Sequence, residues 1–170
     1  MKPSEKAYEL IKQFEGLQLR AYKAIPSEKY YTIGYGHYSK DIRKGQLITQ
    51  NQAEQFLHQD VADFAQKLAT DCPNLEQNQY DALISLIYNI GWYNFRHSMT
   101  REKVKNMHTK WLPIQAARQI TLWVRAGGKV LLGLQKRRVI EANHFLGYNC
   151  FELKDGNIIE HLKTQMRDEQ

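Results

Sequence analysis

The residues best suited by type and spacing to do chemistry lie in LIKQFEGLQLRAYKAIPSEKYYTIGYGH, from Leu10 to His37. Leu10, Ile11 and Phe14, with Ala7 one turn earlier, recur at helical spacing and mark one apolar face. Gly16 stops that helix, because a helix C-terminus favours a residue that accepts positive φ. Glu15 therefore falls in the last turn, where outward-facing carbonyls make a negative charge costly. A carboxyl group that keeps its proton in such surroundings can act as a general acid. A solvated glutamate at a helix end would occupy the same position, so the residues that follow must decide.

Two short strands come next, Leu19 to Lys23 and Tyr30 to Tyr35, with Ala24 to Lys29 turning between them. Pro26 suits the turn, and aromatic and β-branched residues fill the second strand. Gly34 and Gly36 permit close backbone approach or positive φ. A helix-terminal glutamate running into such a hairpin resembles the phage-type lysozymes, the muramidase endolysins. FEGLQLRAY and TIGYGH carry the resemblance, joined by ITQNQAEQFLHQDV, QNQYDALISLIYNIG and AGGKVLLGLQKRR. These words spread from about residue 10 to residue 145, which makes the match specific.

The resemblance implies that Glu15 is the catalytic acid and Thr32 the catalytic-site threonine. It also implies a second acidic residue nine positions after the glutamate, where this chain has Ala24. The threonine, expected fifteen positions after Glu15, stands seventeen after it, so the hairpin is two residues longer. Three solutions fit. Glu28 or Ser27, in the enlarged turn, swings into the missing place; or Thr32 alone orients water; or the sugar's own hydroxyl attacks and lytic transglycosylation results. An inactive wall-binding module is a fourth reading, from another class. The resemblance further implies saccharide contacts at Tyr35 and Asn89, although Asn89 could instead cap a neighbouring backbone. It implies an ion pair between His37 and Asp60 that clamps the small lobe to the long helix.

The fold implied is α+β, mostly helical. It is a lysozyme-like two-lobe domain covering 1–170, with a small β-hairpin lobe (about 16–48) and a long connecting helix (about 49–70). The helical lobe (about 71–170) would take in helix 4–15, and an extended glycan would lie in the cleft between lobes. The bond implied is the β-1,4 link between N-acetylmuramic acid and N-acetylglucosamine of peptidoglycan.

The elements that must position these groups are legible in the rest of the chain. Ser4 can cap the first helix. Residues from Tyr38 to Gly45 form a third short strand or a loop. Thr49 and Gln52 form a capping box, after which Ala53, Phe56, Leu57, Val61, Phe64 and Leu68 recur at helical spacing. Pro73 and Asn74 break the pattern. A second apolar helix holds Ala82, Leu83, Leu86, Ile87 and Ile90 and ends at Gly91. Trp92, Tyr93 and Phe95 can stack on sugar rings but suit core or rim packing better, while residues 100–112 are polar and carry no clear pattern. The spacing predicts a helix from Ile114 to Val124 with Trp123 near its end, then a turn at Gly127 and Gly128. A final helix carries Val139, Ile140 and Phe145 together with Lys136, Arg137 and Arg138. One of those arginines is expected to reach an acidic group near the active cleft or, in preference, to fix the lobe geometry. Phe151, Leu153, Ile158, Ile159 and Leu162 can dock a short extra element.

Composition sets the outer bounds. The 170 residues are 42% hydrophobic, which fits a globular chain, and carry a formal charge of +6. Such a charge draws the protein to polyanions, but no basic run or RNA-binding signature points to nucleic acid. Cys72 and Cys150 match no metal or redox spacing and are expected as thiols. There is no P-loop, dinucleotide fingerprint or nucleophile elbow, and neither cofactor nor metal is expected. MKPSEKAYEL lacks the apolar core of a signal peptide, and no stretch suits a membrane span. The expectation is a monomer, not inserted in membranes, held in the cytoplasm until a separate holin lets it reach peptidoglycan.

Overall fold

The computed structural model describes residues 1–109 and 112–161; the expectation for Leu162 lies outside them. The chain divides into two compact units, Met1–Pro73 and Asn74–Gln170. The architecture is α+β and mostly helical.

In the first unit α1 spans Glu5–Glu15, and Ser4 Oγ accepts the Lys6 N–H at 3.2 Å to cap it. Ala7, Leu10 and Ile11 are its buried stripe. Gly16 follows at φ +68°, and its N–H closes on the Lys12 carbonyl at 3.2 Å. Next come three antiparallel strands in the order β1 (Gln18–Tyr22), β2 (Tyr31–Gly34), β3 (His37–Ser39). The other edge of β1 is bridged at Arg20–Leu47, with the Ala21 N–H on the Gln46 carbonyl at 2.9 Å. β2 therefore lies in the middle of the sheet, with Thr32, Ile33 and Gly34 all buried.

Helix α2 spans Gln50–Asp71, 22 residues or about 33 Å at the usual rise. The Thr49 and Gln52 side chains exchange bonds with each other's backbone N–H, so the capping box closes. Ala53, Leu57, Val61, Ala65 and Leu68 are its buried face. The sheet comes so close that a Cβ on Gly34 (φ +68°) would lie 3.3 Å from the Ala53 Cβ. Glycine at 34 thus lets the central strand reach the helix.

The second unit is built around α3 (Gln77–Ile90), which is buried continuously from Gln79 to Ile87. A helix apolar on most sides belongs in a core, and it packs against α7 (Leu132–Leu146). Between them lie α4 (Trp92–Arg96), α5 (Met99–Asn106), α6 (Pro113–Ile120) and a tight hairpin of β4 (Arg125–Ala126) and β5 (Lys129–Val130). Helix α6 ends four residues before the expected Val124, so Trp123 lies beyond it in the turn. The indole N–H bonds Thr100 Oγ1 at 2.9 Å, and a chain leaving the helix there makes that bond in place of another helical turn. Of the aromatic cluster, Phe95 is fully buried, Trp92 is half-buried and Tyr93 is exposed.

The tail forms a second hairpin, β6 (Phe151–Lys154) and β7 (Asn157–Glu160). A bidentate pair from Arg118 on α6 to Glu160, both contacts at 2.7 Å, fastens it. That contact raises the Arg118 pKa above its ordinary value. Cys72 and Cys150 are buried thiols, one in each unit.

Candidate active site

Glu15 is the last residue of α1 and lies three residues before β1 starts. It is neither buried nor fully exposed. Thr32, on the central strand, is buried. Its cross-strand neighbours are Tyr22 on β1 and Tyr38 on β3. Residues directly opposite in antiparallel strands project to the same face, so the sheet carries a row Tyr22–Thr32–Tyr38. Both tyrosines keep exposed surface, 38% for Tyr22 and 48% for Tyr38.

The enlarged turn between β1 and β2 folds back on itself. The Ala24 N–H donates to Glu28 Oε2 at 2.9 Å, Lys23 Nζ donates to the Glu28 carbonyl, and the Glu28 N–H reaches the Ile25 carbonyl at 3.1 Å. A carboxylate is therefore anchored at the backbone of residue 24, the position where the resemblance implies an acid and the chain has alanine. Ser27, the other residue considered for that role, is exposed.

Tyr22 feels both carboxyl groups electrostatically. Its hydroxyl holds its proton beyond the ordinary phenol range, first because it is partly buried, then because Glu15 and Glu28 both act on it. Sequence reading missed this residue. Its signal was the last place in the FEGLQLRAY strand, which faces Thr32 once the hairpin closes.

The remaining expected residues make contacts within the protein. His37 Nδ1 lies 2.9 and 3.0 Å from the Asp60 carboxylate oxygens, and its ring stacks on Phe56 at 4.5 Å. Phe56 and Asp60 are one helical turn apart, so one grips the ring face and the other its edge, fastening β3 to α2. Tyr35 was expected at the substrate but is buried, with Lys12 Nζ 5.7 Å from its ring centroid. Of the tyrosines near Thr32 on the sheet, Tyr22 and Tyr38 are the exposed ones. Lys12 also pairs with Glu54 at 3.0 Å, joining α1 to α2. Asn89, the other expected sugar contact, gives its side-chain oxygen to Arg138.

Arg138 belongs to a buried ionic cluster of the second unit. The Glu141 carboxylate accepts Arg137 Nε at 2.9 Å, Ser85 Oγ at 2.7 Å and Arg138 Nη1. Arg138 Nε continues to the Trp123 carbonyl at 2.9 Å. The cluster knits α7 to α3 and to the turn after α6. A separate open depression in this unit, of about 440 Å³, is lined by Trp123, His97, Met99 and Leu122 among others and has no carboxylate in its wall.

Comparison with known proteins places the chain in a family and a fold. The family model described as phage lysozyme matches residues 12–141. The endolysin of Bacillus phage PZA is 45% identical over 142 residues, covering 83% of this chain and 54% of that protein. The SAR-endolysin of Enterobacteria phage P21 is 34% identical over 131 residues, covering 75% of this chain and 74% of that protein. Among solved structures, the muramidase domain of SpmX from Asticaccaulis excentricus superposes with a TM-score of 0.75 at 33% identity, covering 85% of this chain and 97% of that one. The endolysin of Escherichia coli O157:H7 phage FAHEc1 gives 0.74 at 34% identity, covering 86% and 94%. The chain spans about half the length (54%) of the Bacillus phage endolysins it matches.

Proposed function

The chain belongs to the phage lysozyme family, and from that premise we propose that it is a glycoside hydrolase cleaving the β-1,4 bond between N-acetylmuramic acid and N-acetylglucosamine in peptidoglycan. Glu15 is the general acid. It protonates the leaving oxygen as the sugar gains oxocarbenium character. Thr32 holds the attacking water, and Glu28 supplies the second carboxylate from the turn that replaces the usual acid. The observation that carries this reading is that one unit holds the helix-terminal Glu15, the central-strand Thr32 and, at the backbone of Ala24, a bonded Glu28 carboxylate. The partner is the wall itself, reached after release from the cell, and a net charge of +6 helps hold the protein on an anionic polymer at low salt. Among the described residues no helix is long and apolar enough to cross a membrane.

Ala24 also favours a second reading, lytic transglycosylation of the same bond, which needs no carboxylate partner. Mass spectrometry of digested muropeptides separates the two: reducing ends report hydrolysis and 1,6-anhydro ends report transglycosylation. Glycan binding with no cleavage at all would leave a wall-binding module.

A further inference from the structure

We propose that the outer edge of β1 is a docking surface for a linear phosphodiester polymer of the cell envelope, held by Arg20, Arg43 and Lys44. The inference goes beyond the hydrolytic reading and does not depend on it. The cations of the first unit sort into two groups. Lys6, Lys12 and Lys67 pair with Glu9, Glu54 and Asp63, while Lys23 and Lys29 lie over the rings of Tyr31 and Tyr30. Arg20, Lys40, Arg43 and Lys44 have no such partner among the described residues, and all are exposed. Three of these lie at one edge. Arg20 stands opposite Leu47 in an antiparallel bridge, flanked by the Ala21 N–H on the Gln46 carbonyl and the Ile48 N–H on the Leu19 carbonyl at 3.0 Å. Those bonds lay the segment that carries Arg43 and Lys44 against the side of β1 that β2 leaves open. Lys40 opens the same segment, and Asp41 is its one acid.

The edge is shaped in advance. A turn closes from the Gln46 N–H to the Arg43 carbonyl at 3.1 Å, and Gln46 Oε1 accepts the Arg43 N–H in return at 3.0 Å. Gly45 completes the turn at φ +75°, and the buried side chains of Ile42 and Ile48 pin it on either side. A polyanion therefore meets cations whose backbone is already ordered, which keeps the entropic cost of binding low. The segment from Lys40 to Leu47 has no aromatic residue to stack on a sugar ring; what it offers is charge. A guanidinium fork takes two phosphate oxygens at once, and an ammonium acts beside it as a point charge. A phosphodiester stays ionised wherever the protein is folded, and it repeats along its polymer. Cations fixed along one edge fit such a repeat better than they fit the separate carboxylates of peptide stems.

The test titrates poly(glycerol phosphate) into the isotope-labelled full chain at low salt and follows the backbone amides by NMR. Poly-glutamate of matched length is the carboxylate comparison. Shifts should cluster at residues 19–21 and 42–47 and fade as added salt shortens the screening length. Replacing Arg20, Arg43 and Lys44 together by glutamine should weaken binding about tenfold, because three exposed ion contacts of modest strength are lost at once. Replacing Arg96, Lys136 and Lys154 by glutamine removes the same charge from exposed positions of the second unit and should leave affinity within twofold. Equal losses in the two triple variants overturn the proposal, because net charge would then account for the binding. Shifts centred on other residues overturn it as well. So does poly-glutamate bound as tightly as the phosphate polymer. The amide spectra report the folding of each variant in the same experiment. Binding is read here without cleavage, so an inactive enzyme leaves this result intact, and failure of the hydrolytic reading shows only in the digestion of peptidoglycan.

Discussion

Replacing Glu141 by alanine should cost the second unit much of its stability. The carboxylate is fully buried, as is the Arg138 side chain, and Arg137 is 4% exposed. Three donors converge on it: both guanidinium groups and Ser85 Oγ. At an effective dielectric of about 20 and a separation near 3 Å, each ion pair is worth roughly 5 kcal/mol before desolvation is counted. Most of that gain offsets the cost of drying the charges. Removing the carboxylate alone therefore takes one buried counter-charge away from two buried positive groups, a change that costs about 3–5 kcal/mol. Domain stabilities are about 5–15 kcal/mol, so the loss is a large share of the total. Urea unfolding followed by far-ultraviolet circular dichroism measures it. With a slope near 2 kcal/mol/M, the midpoint should fall by about 1.5–2.5 M. Glutamine keeps the shape but turns an amide toward one of the donors, so Glu141→Gln should lie between wild type and Glu141→Ala. A midpoint shift for Glu141→Ala below about 0.5 M, with an unchanged slope, would refute the claim that this cluster holds α3, α7 and the Trp123 turn together.

Other outcomes follow from single contacts. Gly34→Ala should destabilise by at least about 1–2 kcal/mol, the cost of positive φ for a residue with a Cβ, and more because of the 3.3 Å approach to Ala53; thermal melts check it. Glu54 should titrate below the ordinary glutamate range because the Lys12 ammonium bonds it, followed by Gln50. Its folded pKa is depressed, so the stability it contributes is present above the unfolded value and lost as pH falls through the folded one. NMR titration of Lys12→Met should return Glu54 toward its ordinary midpoint. Arg118→Met should raise amide exchange in β6 and β7 while changing global stability by only about 0.5–1 kcal/mol, as expected for a partly exposed pair.

Much of the fold was legible because local chemistry and tertiary packing agree in it. Thr49 and Gln52 announce α2 by a capping box, and the buried stripe that follows keeps strict helical spacing. Gly16 and Gly91 mark helix ends at which positive φ is required. Trp123 shows the limit: its apolar character continues the pattern of α6, yet a bond to Thr100, 23 residues away, draws it into a turn. The polar run near residue 100 hid α5, whose Ser98 cap and buried Val104 make sense only against neighbouring helices. The places of Glu15 at a helix end and Thr32 on the second strand were legible from their motifs. The Glu28 contact was expressible only as one of several options, because a longer turn can fold back in many ways. Tyr22 needed the strand register, and an alternating strand alone does not give that. The partners of Arg137 and Arg138 were likewise out of reach, since Ser85 lies more than fifty residues away.

The most direct test of the central claim is digestion of purified peptidoglycan by wild type and by Glu15→Gln, with products read by mass spectrometry and folding checked by circular dichroism. Wild type should release muropeptides with reducing ends, and Glu15→Gln should release none while keeping the wild-type spectrum. Undiminished cleavage by a folded Glu15→Gln protein would contradict the assignment of this carboxyl group as the acid.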